Sequence, residues 1–521
     1  MASWLNLGQN LKVNAKKFST KTALMDSERT FTYSQLNQRV NRLSHSLLSL
    51  GLSKGDKVAV FMENSIEIVE MYLATAKTGL VIVPVNFRLV GREIEYIVSH
   101  SDAKAMVVDE EFVPIIEPIK DQLKQIAPEN FVSTGGEGNG WKSYDSLMSL
   151  GSEIEPAADV DPSDPWILIY TSGTTGKPKG VIRSHESHIA FYLINSVDFG
   201  FTENDTCMNV MPLFHINSTF FSFLFTYIGG SVYIHPARSF RPGEVLSIVE
   251  DKKITFISLI PTHYNIILNA SDDDRRHDVS SVTKLLCSSA PVRKSMKLAI
   301  MDFFKGVALY EAYGSSEAGI VTILKPEYQM KKLGSIGFET LGSDFVKIFD
   351  ENGNEVPDGE VGELYSKGPM LFDGYYKMPE KTASSFCGKW FSAGDMARRI
   401  EDGFFEIVDR KDNMIITGGE HVYPSEVEEV IGGDDHVFDV AVISLPDEKW
   451  GEKVLAVVVL KPEFHDQAEA LGKTIMDCCK ETLAGYKRPK EILFITEDEM
   501  PRTQTGKILH RILRQQYSGK K

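Results

Sequence analysis

The 521-residue sequence contains few cysteines, no long apolar run and no excess of positive charge. Its five cysteines form no C-x-x-C pair, so the sequence predicts neither a zinc site nor a disulfide framework and fits a reducing, cytoplasmic location. No window approaches about 18 uninterrupted apolar residues, and we expect no membrane span. The net charge of -16 argues against a nucleic-acid-binding surface, which usually gathers Lys and Arg. Small molecules are therefore the favoured partners.

The first third of the chain alternates between helical and strand patterns. Leu36, Val40, Leu43 and Leu47 recur at helical spacing, and Ser34 is the predicted N-cap of that helix. Apolar, β-branched strands that alternate with helices predict a largely parallel sheet covered on both faces. The predicted elements that follow are strands at 57–62, 81–85 and 103–109 and helices at about 66–77 and 92–99.

The pattern changes twice towards the C-terminus. Residues 330–408 contain short strand patterns separated by Asn-Gly, Asp-Gly and Pro breaks, which predict a β-rich subdomain. From Asp412 onward helices and strands alternate again, over enough chain for a small domain of its own. With more than one hydrophobic core expected at this length, the sequence predicts an α/β protein of two or more units.

The strongest motif is YTSGTTGKPKG at residues 170–180, directly after the apolar strand pattern WILIY. A loop rich in Gly, Ser and Thr can wrap backbone N–H groups and hydroxyls around phosphate oxygens, while lysines add positive charge. It differs from the common nucleotide triphosphate loop, because Pro178 follows the lysine where that loop needs Ser or Thr. The predicted ATP-binding residues of this segment are Thr171, Ser172, Gly173, Thr174, Thr175, Gly176, Lys177 and Lys179.

At these residues the chain resembles the adenylate-forming superfamily, which includes acyl-CoA synthetases, adenylation domains and firefly luciferase. Further blocks follow in the family's order across residues 166–511. The resemblance implies an N-terminal adenylation domain at 1–409, built of parallel α/β sheets and the β-rich subdomain. It also implies a hinge at 410–412, with Asp412 as the hinge residue, and a small mobile α+β domain at 413–521.

Several blocks resemble the family's nucleotide site. The block YGSSE, in which Ser316 replaces the usual Thr, implies that Tyr313 stacks on adenine and that Glu317 binds Mg²⁺. A carboxylate beside phosphates is chemically reasonable when a divalent cation lies between them. The blocks FSAGDMA and VDRKD imply two residues on the ribose, Asp395 and Arg410. Together with CSSAPV, these blocks imply further ATP- or AMP-binding residues: Ser289, Ala290, Pro291, Tyr313, Gly314, Ser315, Ser316, Asp395 and Arg410.

The remaining blocks bear on catalysis, the acid and the thiol. PRTQTGKILHR resembles the block whose lysine is catalytic, here Lys507. His215 and Glu317 are also assigned to catalysis, and Glu317 to the metal as well. MPLFHIN has His215 where amino-acid-activating relatives carry Asp, which favours an acid without an α-amino group. His215 either lies beside the acyl site or is a hydrogen-bonded core histidine, and the following FFSFLF is either an apolar wall or a helix of core aromatics. The CoA-binding residues implied are Gly418, Gly419 and Lys487.

The resemblance implies an ATP-dependent acid–thiol ligase that makes an acyl-adenylate and then an acyl-CoA, with ATP, Mg²⁺ and coenzyme A. Two alternatives stay open: an adenylation enzyme that loads a carrier-protein thiol, and a nucleotide-binding scaffold without turnover. The acid also stays open, because MPLFHI and the turn at 237–240 resemble carnitine and crotonobetaine CoA ligases, while fatty acids and hydroxycinnamates fit equally. The oligomeric state is not fixed, and a homodimer is one alternative.

Overall fold

The structure is a computed structural model of the chain. It describes residues 6–138, 140–171, 178–236, 238–288, 292, 294–341, 345–502 and 508–518. The chain divides into unit 1, Met1–Phe345 with Ser366–Phe391, and unit 2, Val346–Tyr365 with Ser392–Lys521.

Helices and strands are numbered here in chain order. The α-helices described are α1 (Leu7–Lys17), α2 (Tyr33–Ser49), α3 (Ile66–Thr78), α4 (Gly91–His100), α5 (Val113–Ile116), α6 (Tyr144–Leu150), α7 (His185–Phe199), α8 (Ile216–Ile228), α9 (Pro242–Lys252), α10 (Pro261–Leu268), α11 (Asp272–Arg275), α12 (Lys294–Phe303), α13 (Pro379–Ser384), α14 (Pro424–Gly432), α15 (Ala468–Thr482) and α16 (His510–Tyr517).

The strands described are β1 (Thr22–Met25), β2 (Thr30–Thr32), β3 (Lys57–Phe61), β4 (Val81–Pro84), β5 (Ala103–Val108), β6 (Phe131–Ser133), β7 (Lys142–Ser143), β8 (Pro165–Thr171), β9 (Lys179–Ser184), β10 (Thr206–Asn209), β11 (Ser231–Ile234), β12 (Phe256–Leu259), β13 (Lys284–Ser288), β14 (Ala308–Ser315), β15 (Gly319–Leu324), β16 (Phe338–Glu339), β17 (Val346–Phe349), β18 (Val361–Ser366), β19 (Gly374–Tyr375), β20 (Phe386–Cys387), β21 (Trp390–Phe391), β22 (Asp395–Arg399), β23 (Phe405–Arg410), β24 (Ile415–Thr417), β25 (Glu420–Val422), β26 (Val437–Asp447), β27 (Gly451–Leu460) and β28 (Glu491–Phe494).

The N-terminal elements follow the predicted pattern, with one correction at the start of α2. The helix is present and its four predicted apolar positions are buried. Its N-cap, however, is Thr32 and not Ser34: the Thr32 hydroxyl accepts the Gln35 N–H at 3.2 Å, and the Gln35 side chain accepts the Thr32 N–H at 2.9 Å. This reciprocal capping box satisfies two N–H groups at the helix start and begins the helix two residues earlier than predicted.

Unit 1 contains two large sheets. In the first, the strand order is β16-β15-β14-β13-β12-β10-β11-β1-β2, and the run from β14 to β1 is parallel. In the second, the order is β19-β9-β8-β4-β3-β5-β6-β7, parallel from β8 to β7 and antiparallel at β8, β9 and β19. Strands buried on both faces explain their near-continuous Val, Ile and Leu content. The α/β class expected from the sequence is therefore observed.

Unit 2 contains a sheet in which β18 pairs with β17 and β22, and β22 pairs with β23. A second sheet has the order β25-β24-β27-β26, with β28 parallel to β27. The central pair β26 and β27 is antiparallel over its whole length, and apolar side chains cover both of its faces. Among the described residues of either unit, no helix has the length and apolar character needed to cross a bilayer.

Candidate functional site

The predicted phosphate loop joins two antiparallel strands. Thr171, the last residue of β8, pairs with Lys179, the first residue of β9. The loop residues Ser172, Gly173, Thr174, Thr175, Gly176 and Lys177 lie outside the described part of the chain. The Lys179 ammonium lies 4.5 Å from the centre of the Tyr375 ring and 3.5 Å from its hydroxyl. The loop therefore ends at a lysine that contacts an aromatic side chain.

Tyr375 connects this lysine to the predicted metal-binding carboxylate. Its hydroxyl donates to Glu317 Oε1 at 2.8 Å, and Glu317 is only 8% exposed. Tyr375 reaches this position because β19 pairs with β9, with Tyr375 opposite Val181. Two residues predicted from separate motifs, Lys179 and Glu317, thus contact the same phenol.

Arg183 holds the backbone around Glu317. Its guanidinium is fully buried and donates to the carbonyl oxygens of Ser316 at 2.9 Å and Met370 at 2.7 Å. Burial lowers the pKa of Arg183 to about 10, which leaves it protonated at neutral pH. A buried guanidinium bonded to several carbonyls fixes the geometry of the segments that carry them.

The predicted adenine segment lies on the hairpin of β14 and β15. A bulge between Tyr313 and Gly314 shifts the strand register, and a Cβ added to Gly314 would lie 2.1 Å from the carbonyl oxygen of Gly319. The Ser315 hydroxyl accepts the N–H of Ala318 at 3.0 Å. Only glycine fits where the two backbones approach so closely. The predicted residues Ser289, Ala290 and Pro291 lie outside the described part of the chain.

His215 is the N-cap residue of α8, and its environment bears on the two interpretations of that histidine. Its Nε2 atom is buried and has no hydrogen-bond partner among the described residues. Burial, with a smaller effect of Arg88, lowers the pKa of His215 to about 4. By contrast, Phe220 and Phe221 are buried and pack on other core rings, which supports the core-helix interpretation of FFSFLF.

In unit 2, the two predicted ribose residues are neighbours. Asp395 on β22 lies opposite Arg410 on β23, and Arg410 Nε lies 2.5 Å from Asp395 Oδ1. Asp395 is 4% exposed. A carboxylate oriented by an arginine can accept hydrogen bonds from vicinal hydroxyls.

The predicted hinge and CoA residues also lie in unit 2. Asp412 is exposed, and its carbonyl accepts from Arg514 at 3.0 Å. Gly418 and Gly419 form the two-residue turn between β24 and β25, with φ angles of 60° and 86° that favour glycine. Lys487 donates to Glu426 at 2.6 Å. Lys507 lies outside the described part of the chain.

Arg183 and Tyr375 lie outside the motifs from which the site residues were predicted. Arg183 lies in the strand after the phosphate loop, and Tyr375 lies in the short motif GYY. A lone arginine and a tyrosine distant in sequence carry no recognisable spacing, because only the pairing of β9 with β19 brings them together. The close approach of the Gly314 backbone to the Gly319 carbonyl oxygen is likewise visible only in the structure.

The chain also matches known proteins over most of its length. A family model described as AMP-binding enzyme matches residues 11–376, and a model described as AMP-binding enzyme C-terminal domain matches residues 426–507. The chain belongs to the AMP-binding enzyme family. The resemblance seen in its motifs is confirmed.

Relatives in this family include ligases of different acids. The chain is 34% identical over 495 residues to the long-chain-fatty-acid–CoA ligase FadD13 of Mycobacterium tuberculosis, which covers 94% of this chain and 93% of that relative. It is 34% identical over 499 residues to the feruloyl-CoA synthase of an Amycolatopsis species, and the match covers 95% of this chain and 96% of that relative. The ATP-bound structure of MatB from Rhodopseudomonas palustris superimposes with a TM-score of 0.88 at 28% identity, covering 99% of both chains.

The predicted activity is therefore confirmed. This family member is an ATP-dependent, AMP-forming acid–thiol ligase that converts a carboxylic acid to an acyl-adenylate and then to an acyl-CoA. The alternative of a scaffold protein without turnover is set aside, because the named relatives are ligases.

Proposed function

We propose that the hairpin loop 171–179 binds the triphosphate of ATP and that Glu317 faces the same phosphates through a Mg²⁺ ion. One observation supports this proposal above the others: Lys179 and Glu317 both contact Tyr375. A phosphate-binding lysine and a metal-binding carboxylate must lie close together if both act on one triphosphate. Tyr375 and Arg183 are then positioning residues, the first for the carboxylate and the second for its backbone.

The donor set around Glu317 fits Mg²⁺ held jointly with a substrate. Among the described residues, no group of three His, Cys, Asp or Glu side chains could hold a metal by itself. Mg²⁺ usually binds through one or two carboxylates together with substrate phosphates and water, which a single buried Glu317 can satisfy. When bound, the ion would neutralise charge on the phosphate oxygens.

The remaining predicted residues can be assigned to the two steps of the reaction. We propose that Tyr313 stacks on adenine and that Asp395 and Arg410 bind the ribose hydroxyls. The acid's carboxylate oxygen attacks the α-phosphorus, the bond to pyrophosphate breaks, and Lys507 offsets the charge that builds on the phosphate oxygens. In the second step a thiol attacks the acyl carbon and AMP leaves, with Asp412 as the hinge and Gly418 and Gly419 beside the incoming thiol arm.

The acid class and the location stay proposals. A side-by-side assay of free CoA and carrier proteins as thiol acceptors tests the carrier-protein alternative. The named relatives act on fatty and aromatic acids, and we propose an acid without an α-amino group because of His215. A cytoplasmic location and a homodimer remain predictions.

Glu317→Gln tests the metal assignment. The substitution keeps the size of the side chain but removes its charge, and we expect acid-dependent pyrophosphate release to fall roughly 10²- to 10³-fold, as for loss of one charge-stabilising group. The control is Glu327→Gln, an exposed glutamate of the same unit. If both variants release pyrophosphate at the wild-type rate across a Mg²⁺ titration, Glu317 does not bind the metal.

A further inference from the structure

Three histidines follow the carboxyl ends of neighbouring parallel strands in unit 1. His215 follows β10, His235 comes directly after β11, and His263 lies in the first turn of α10, just after β12. Since β11, β10 and β12 are adjacent and parallel, the three residues lie at one edge of the sheet. Ligands of open α/β sheets bind outside this edge.

The loops that carry two of these histidines are tied together by one buried side chain. Asn64 donates to the carbonyl oxygens of Met211 and His235, both at 3.0 Å, and accepts the N–H of Leu213 at 2.7 Å. The backbone N–H of His235 also donates to Asn209 at 2.9 Å. The loops that carry His215 and His235 are therefore held by bonds that do not involve the histidine side chains.

The ring nitrogens of these histidines are buried but unsatisfied. His235 is 2% exposed, and neither of its nitrogens has a partner at full hydrogen-bond geometry among the described residues, although the Pro236 carbonyl lies near enough to oppose part of the fall in its pKa. The nearest acid is Glu244, whose Oε1 is 3.7 Å from His235 Nε2, beyond hydrogen-bond distance. Nε2 of His215 and Nδ1 of His263 are also buried and have no hydrogen-bond partner among the described residues. Buried polar atoms usually have a partner, and four without one, on three histidines at one sheet edge, require an explanation.

The charge state of the cluster suits a hydrogen-bonding ligand. Burial lowers the pKa of His215 and His263 to about 4 and also lowers that of His235. Each imidazole is therefore neutral at neutral pH and offers one donor and one acceptor. The ring of Phe240 stacks on His263 at 4.3 Å and fixes its orientation. Within the described residues no group of three His, Cys, Asp or Glu side chains could hold a metal ion.

We propose that His215, His235 and His263 recognise an oxygen-bearing group on the chain of the acid, namely a hydroxyl, a carbonyl or a second carboxylate. The proposal rests on the proposed function, because it assigns the cluster to the acid that is adenylated in unit 1. A plain alkyl chain would leave the buried nitrogens unpaired, whereas an oxygen-bearing group could pair with one or more of them. Sites that hydrogen-bond a substrate group discriminate strongly against analogues that lack it.

Matched acids test the proposal. Pyrophosphate release is measured for plain alkanoates, ω-hydroxyalkanoates, oxoalkanoates and α,ω-dicarboxylates of equal length, from short to long chains, and for cinnamate against para-hydroxycinnamate. We expect an oxygenated acid to exceed its plain partner in kcat/KM by about 10-fold or more at the preferred length. The acid with the highest kcat/KM in the series identifies the oxygen group that the site recognises.

The variants His235→Leu and His263→Leu should reduce this preference by about 10-fold while plain acids are still adenylated. The matched control is His188→Leu, because His188 is also buried with an unpartnered Nε2 but lies within α7, packed on Trp166. The control should keep the wild-type preference. Two variants are used so that a folding defect in one leaves the other informative.

Two results would overturn the proposal: a preference for the plain acid at every length, or a preference that both histidine variants leave unchanged. Either result leaves the ligase activity itself intact. If no acid supports pyrophosphate release by the wild type, the proposed function fails. Failure of the proposed function is therefore distinguishable from failure of the histidine proposal, in which pyrophosphate is still released.

Discussion

Removal of one hydroxyl, in Tyr375→Phe, tests how Glu317 is held. The phenol donates to a nearly buried carboxylate at 2.8 Å, and a hydrogen bond to a charged group contributes about 1.5–3 kcal/mol. At about 1.4 kcal/mol per factor of ten, this corresponds to about 10- to 100-fold. A loss of that size is also typical when a partner that orients a metal ligand is removed.

We therefore expect Tyr375→Phe to lower kcat/KM for acid-dependent pyrophosphate release by about 10- to 100-fold and to raise the Mg²⁺ concentration needed for half-maximal rate. The assay is a Mg²⁺ titration at fixed ATP and acid. The control is Tyr376→Phe, the same change on the next residue, whose hydroxyl instead donates to Asp102 at 2.8 Å. If the two variants have the same Mg²⁺ dependence, Tyr375 does not position Glu317 and the reasoning is refuted.

Two further predictions concern the hairpin and acid pH. Gly314→Ala should lower the free energy of unfolding by about 1–3 kcal/mol and slow pyrophosphate release, because the added Cβ would lie 2.1 Å from the Gly319 carbonyl oxygen. The control Gly136→Ala places its Cβ in open space and should leave the stability unchanged. Burial lowers the pKa of His215 and His263 from 6.5 to about 4, so stability should be full above pH 6.5 and fall by roughly 3 kcal/mol per histidine towards pH 4.

Urea unfolding measures both effects. Equal midpoints for Gly314→Ala and Gly136→Ala would show that the hairpin tolerates a side chain. A midpoint that stays constant between pH 7 and pH 4 would contradict the burial of neutral histidines.

Local patterns in the sequence predicted local structure well. The buried positions of α2 follow from the 3.6-residue spacing of Leu36, Val40, Leu43 and Leu47. The predicted N-cap, Ser34, is wrong because Thr32 and Gln35 together form a capping box ahead of it. The error is local, and the reciprocal motif was present in the sequence.

Contacts between distant segments could not be predicted in the same way. The bond between Tyr375 and Glu317 depends on β19 pairing with β9, and no sequence spacing encodes that pairing. The histidine cluster likewise depends on the order of β11, β10 and β12 in the sheet. The motifs of the adenylate-forming family predict which residues form the site, and the topology of the sheets determines which of them lie close together.

The central claim is that ATP is cleaved between its α- and β-phosphates by the attack of a carboxylate. Purified protein, incubated with ATP labelled at the α- and γ-positions, Mg²⁺, CoA and the acid panel, should produce labelled AMP and labelled pyrophosphate in equal amounts, and only when an acid is present. The formation of ADP and inorganic phosphate, or the release of AMP at a rate independent of any acid, would contradict the account.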